Sequence, residues 1–331
     1  MQMIRTGDEG SAERRARVCL AAFSTTVLLS VVGFFAALGV LRAVDRLPPP
    51  PVSGTWCIDG RFVWLRDNPD WKNAALIGVG SSVTWRNLDF HVVRPEGGII
   101  NAAPCALTVN QTRYMTEFLL SRASNAKTVM MVLAPRDFQG CSRNPTAFFD
   151  PDLVDQFIDR KLSNRLDRAW LRFRNFRLKD VFFHVLYAEE RRSELQFDEF
   201  GSGPLVRDVP DAGYPVKPES SCYAELTGLA TWLESKGIQF VAVTFPVMPG
   251  WAARHDRSRS IREQFRSAVA SALAPTKAIL VDGMTEWQVP DSAFTDPVHL
   301  QWAETAAFTR YVWKAAQQRG ADLPRLKSEG K

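Results

Sequence analysis

The chain has 331 residues, of which 46% are hydrophobic and 23% charged, with a net charge of +5. This composition excludes global disorder, and the length suits one enlarged α/β domain with an appendage. The basic residues are spread along the chain without any reader motif, which argues against nucleic acid as a partner.

Residues 18–41, VCLAAFSTTVLLSVVGFFAALGVL, carry no charge. As a helix they span roughly 36 Å, enough to cross a hydrocarbon core of about 30 Å. Arg14, Arg15 and Arg17 precede the run, and Arg42 and Arg46 follow it. The balance favours a cytoplasmic N-terminus, residues 1–17. The run is longer than the apolar region of a signal peptide and ends in a poor cleavage site. The sequence therefore predicts an uncleaved single-pass anchor in the inner (cytoplasmic) membrane, with the main domain periplasmic or otherwise extracytoplasmic. Residues 42–55 are a Pro-rich linker, and the run Leu47 to Pro51 predicts a stiff, extended spacer. The main domain follows over 56–320, and 321–331 read as a polar tail.

Within the main domain, strand patterns alternate with helix patterns. Apolar runs at 74–80, 98–103, 128–134, 238–246 and 278–282 suit strands buried on both faces. Helical spacing covers 109–124, 221–236, 258–273 and 301–318. This alternation implies a doubly wound parallel sheet of five strands, with its chemistry at the carboxyl ends of the strands. Residues 140–220 interrupt the pattern and read as an insertion that forms a cap. Its stretch from Arg168 to Arg177 interleaves arginines with Trp170, Phe173 and Phe176, a mixture that suits packing, an interface or a membrane surface.

Four of the five cysteines lie beyond the anchor: Cys57, Cys105, Cys141 and Cys222. In an oxidising space they allow three pairings. Cys105 and Cys141 each follow a strand, which makes them a candidate pair; free or buried thiols are the alternative. No Cys-x-x-Cys or paired-histidine spacing points to a metal.

Two segments could carry chemistry. Ser81 and Ser82 follow the first strand in LIGVGSSVTW, at a strand-to-helix turn that exposes a hydroxyl and an N–H group. A turn and helix cap is the plainer explanation. Near the C-terminus, Asp296 and His299 stand three apart in FTDPVHL. That spacing lets the carboxylate reach the imidazole Nδ1 while the other ring nitrogen faces a serine. A helix cap at Asp296 with Pro297 in the first turn is the alternative here.

Gly-x-Ser after the first strand and Asp-x-x-His before the last helix resemble the first and last blocks of the SGNH (GDSL-like) hydrolases and acyltransferases. The resemblance covers about residues 70–318. It implies Ser82 as nucleophile, His299 as base and Asp296 as its orienting carboxylate, with Ser81 as the fallback nucleophile. Two middle blocks depart from the family. The second, residues 99–108, lacks the expected glycine and leaves the backbone of Ala103, Cys105 or Ala106 as an oxyanion donor, since Pro104 has no N–H. In the third, Arg136 stands where the family has asparagine, as an oxyanion or substrate-carboxylate ligand or as an ion pair with Asp137. The family needs no cofactor. Its anchored members resemble proteins that acylate exported polysaccharide, often beside a multi-pass membrane acyltransferase partner. The resemblance thus implies an O-acyltransferase acting on an exported glycan. A carbohydrate esterase and a catalytically silent, glycan-binding scaffold remain open beside it.

Overall fold

The computed structural model describes residues 7–44, 46, 52–159, 178–187, 195–205 and 216–328. The proline run Leu47 to Pro51 and the Arg/Phe stretch 168–177 lie outside these residues. The described chain forms two compact units: the N-terminal helix with a helix at 178–186, and the remainder as a larger body.

The first helix, α1 (Gly7–Ala43), is long and apolar enough to cross a membrane. Its leucines, valines and phenylalanines are exposed along most of its length, as a segment solvated by lipid requires.

In the body, α2 (Trp56–Asp67) leads to β1 (Leu76–Val79), α3 (Ser82–Asn87), β2 (Ile99–Asn101), α4 (Val109–Leu120) and β3 (Thr128–Leu133). After α5 (Pro151–Ile158) and α6 (Leu178–Leu186) come α7 (Ser220–Ser235), β4 (Gln239–Thr244), α8 (Pro249–His255) and α9 (Ser260–Leu273). The chain closes with β5 (Ile279–Val281), α10 (Gly283–Glu286), a hairpin of β6 (Phe294–Asp296) and β7 (His299–Leu300), and α11 (Trp302–Gln318).

Strands β1 to β5 form one parallel sheet in the order β2-β1-β3-β4-β5. The fold class is therefore α/β with a five-stranded parallel sheet. Every residue of β1 and β3 is buried, which is why those segments read as unbroken apolar runs without alternation. Helices α4, α7 and α9 pack side by side, and α11 packs on α3.

Three boundaries differ from the sequence reading. The linker ends before Val52, which is buried, and Ser53 donates its N–H and hydroxyl to the Asp59 carboxylate. The tail is not a free extension: Ala321 and Leu323 are buried, and Val93 and Leu326 form an antiparallel bridge. The insertion is not a single cap. Helix α5 packs on α2, residues 195–205 join the body, and α6 belongs with α1 in the smaller unit.

The disulfides pair differently from the candidate drawn from strand ends. Cys57 bonds Cys105, and Cys141 bonds Cys222, with Cα atoms 6.0 and 5.4 Å apart. Proximity to a strand end placed two cysteines near the sheet rim. Each partner comes instead from a helix, α2 or α7. The Cys141–Cys222 bond closes the insertion at its two ends.

Candidate active site

The sheet order reverses between β1 and β3, which opens a crevice at their carboxyl ends. Ser81 and Ser82 follow β1 there. Gly80 makes the turn at φ +127°, and a Cβ on it would come 2.5 Å from Thr84 Oγ1. Only glycine serves at such a position. Thr84 in turn accepts the Val132 N–H at 2.9 Å, tying α3 to β3.

The two serines divide the work. Ser81 caps α3, accepting the Val83 N–H at 3.2 Å, and donates its hydroxyl to Asp137 Oδ1 at 2.6 Å. Ser81 is buried, whereas Ser82 is partly exposed. Among the described residues the Ser82 N–H has no hydrogen-bond partner. It is one of the donors a helix start leaves unpaired.

His299 sits on the β6–β7 hairpin, not in the first turn of a helix. Its Nε2 lies 3.0 Å from Ser82 Oγ, and its Nδ1 lies 2.7 Å from Asp296 Oδ2. Asp296 Oδ1 accepts the Val298 N–H at 2.8 Å, closing the hairpin turn. Asp296 therefore caps no helix; α11 begins six residues later. Burial pushes the Asp296 carboxyl up, but the neighbouring His299 charge and hydrogen bonds from His299 and Val298 outweigh it and hold the group below its ordinary value. A carboxylate that stays ionised keeps the imidazole in one tautomer and stabilises its protonated form.

Asn87 fastens the hairpin to the serine helix. Its Nδ2 donates to the Val83 carbonyl at 2.8 Å and the Val298 carbonyl at 3.0 Å, and its Oδ1 accepts the Leu300 N–H at 2.8 Å. No spacing motif in the sequence singles this residue out.

No family model and no curated protein matches this chain.

The middle blocks have their own geometry. Ala103 turns its N–H to Asn101 Oδ1 at 3.2 Å, so that donor is committed to the loop itself. Cys105 is held in its disulfide, and Ala106 takes a left-handed conformation at φ 52°. Asp137 does not pair with Arg136: its oxygens accept from Ser81 and, at 2.9 Å, from the Ala134 N–H. Burial pushes the Asp137 carboxyl up to about 6, against the hydrogen bonds from Ser81 and Ala134 and the charges of His299 and Arg136. Arg136 is exposed and has no ion pair among the described residues. It stands at the edge of a cleft that borders Asp296, with walls from Val216, Val247, Trp251, Ile261 and Val298.

Arg61 was not visible as a functional candidate. It is fully buried, and its guanidinium donates to the carbonyls of Asn101 (2.8 Å), Ala103 (2.7 Å) and Gly201 (2.8 Å). The rings of Trp64, Trp85 and Phe197 surround it, the last at 4.4 Å. Cys57 stands one turn earlier on the same helix, so α2 fixes the loop after β2 with both a disulfide and a cation.

Of the other histidines, His91 is the ring nearest a donor cluster, with Nδ1 2.9 Å from Asp89 and 3.5 Å from Asp198.

Proposed function

We propose that this protein is a membrane-anchored serine O-acyltransferase of the SGNH type, acting outside the cytoplasm on an exported polysaccharide. The observation that carries the reading is the continuous Ser82–His299–Asp296 hydrogen-bonded chain, 3.0 and 2.7 Å. The strand order β2-β1-β3-β4-β5 supports it, because a doubly wound sheet of that order places its site at the β1/β3 crevice. The two disulfides support an oxidising compartment, and α1 supports attachment to the inner membrane with the N-terminus inside.

Ser82 Oγ attacks the carbonyl carbon of an acyl donor as its proton passes to His299 Nε2. Asp296 holds the resulting imidazolium at Nδ1. The Ser82 N–H, free at the start of α3, is the donor for the developing oxyanion. Collapse expels the donor's leaving group, which takes the proton from His299. A glycan hydroxyl then gives its proton to His299 and attacks the acyl-serine carbonyl; collapse breaks the acyl carbon–Oγ bond, and Ser82 Oγ takes the proton back from His299 Nε2. Where water takes the hydroxyl's place the same steps make an esterase.

The committed Ala103 N–H favours a second reading, a silent glycan-binding scaffold, because a site short of one oxyanion donor loses about 100- to 1,000-fold in rate. Intact-mass analysis of the full chain in detergent with an activated acetyl ester separates the two. An acetyl adduct that disappears in Ser82→Ala supports the enzyme. A folded wild-type protein that never acquires an adduct leaves the scaffold.

A further inference from the structure

Helix α6 has a face that the proposed acyl transfer does not use. Leu178, Phe182, Phe183, Leu186 and Tyr187 are exposed by 44 to 67%. At 100° per residue they cover one half of the helix, with Lys179 as the only charge among them. Val181 and His184 are buried on the other half. A soluble body rarely leaves so contiguous an apolar patch in water.

Where this helix belongs narrows the choice of occupant. It lies in the same compact unit as α1, apart from the body. Within the charge-free run 18–41 of α1, only Leu38 is buried and Leu41 half-buried, while the apolar residues before them are exposed. Those two leucines stand in the last turns of the charge-free run 18–41, at the depth where a spanning helix leaves the hydrocarbon. The sequence leading into α6 is strongly basic: Arg160, Lys161, Arg165, Arg168, Arg172, Arg174 and Arg177 are accompanied by one acid, Asp167. Cations flanking an aromatic and aliphatic helix face match an anionic lipid surface.

We propose that α6 is an interfacial helix, seated in the same bilayer face from which α1 emerges, with Phe182 and Leu186 in the acyl region and Tyr187 at headgroup level. The inference rests on α1 crossing that membrane and is independent of the catalytic reading. It makes the chain's membrane attachment twofold, because the insertion between β3 and β4 returns to the lipid after the body has begun.

The test uses the full chain carrying Cys19→Ser, reconstituted into vesicles of phosphatidylcholine and phosphatidylglycerol. A polarity-sensitive fluorophore is attached at Phe182→Cys or Leu186→Cys, with Leu28→Cys inside α1 and Lys236→Cys on the body as references. The proposal expects the 182 and 186 labels to be quenched by lipid-borne nitroxide as the Leu28 label is. It also expects them to be shielded several-fold from aqueous iodide relative to Lys236. Iodide quenching at 182 and 186 equal to that at Lys236, with Leu28 still lipid-quenched, overturns the proposal and leaves the span intact. Labels shielded from both quenchers also overturn it, and point to a protein partner on this face. Iodide quenching at Leu28 removes the span itself and the proposal with it.

Discussion

The loops after β1 and β2 leave the carboxyl ends of two neighbouring parallel strands but are fixed by different means. The serine turn is held by small polar side chains on the elements it belongs to: Ser81 as a cap, Thr84 against β3, Asn87 against the hairpin. The loop at 101–106 is held from outside, by a buried guanidinium and a disulfide from α2 and, far along the chain, by the Phe200 carbonyl, which accepts the Asn101 N–H. The difference separates the geometry of the proposed site, which short local hydrogen bonds set, from loop stability, which needs strong anchors because the loop has no regular structure of its own.

The largest effect should come from the reacting groups. Ser82→Ala is expected to lower acyl turnover on the order of 10⁶-fold with an unchanged melting temperature, as steady-state assay and calorimetry would read. A variant retaining turnover through Ser81 would break the division between the two serines. On the other loop, reduction acts on stability. With 48 and 81 residues between partners, each disulfide contributes about 4 kcal/mol by the loop-entropy model. Denaturation with and without reductant should show a loss of that order per bond.

Arg61→Met is the next step down. It strands three buried carbonyls at about 1–3 kcal/mol each, partly offset by no longer burying a charge. A net loss of about 3 kcal/mol in urea unfolding is expected, and a neutral result would mean that the ring cage alone holds the loop. Asn87→Ala leaves the buried Val298 carbonyl and Leu300 N–H unpaired, at about 1–3 kcal/mol each, and should in addition lower turnover about 100-fold by loosening the hairpin. The contrast with Arg61→Met then lies in turnover, and an equal turnover loss in the two variants would erase the contrast between the two loops.

The last effect is a pH slope. The Asp137 carboxyl keeps its proton to about pH 6 in the folded protein, against an ordinary value of 3.8. The folded state therefore binds the extra proton between those values, and stability falls as pH rises through them. Asp59, pushed up to about 7 by burial, extends the slope in the same direction. In Asp137→Asn the lower part of the slope should vanish, measured as urea midpoints from pH 4 to 6.

The five strands were legible because buried parallel strands leave unbroken apolar runs, and each observed strand lies inside its expected segment, including the edge strand β5, whose Ile279 and Leu280 are only half-buried. Ser82, Asp296 and His299 were legible as two short motifs, and the structure brings them together. Arg61 was not, because nothing local marks an arginine that bonds carbonyls 40 and 140 residues away. Asn87 gave no signal for the same reason: its partners at 298 and 300 are neighbours only after folding. The disulfide pairing failed because the rim of a sheet brings many strand ends near one another, and the helices that supply the partner cysteines have no fixed place in a linear pattern. Arg136 stood out only as a departure from a family pattern, and its ion pair with Asp137 was the wrong alternative because Ser81 and Ala134 already occupy that carboxylate.

The bond between Cys141 and Cys222 turns the whole insertion into a covalent ring hung on the β3–β4 connection. A protease that nicks the ring once severs no strand from its neighbours, and both fragments stay joined until the bond is reduced.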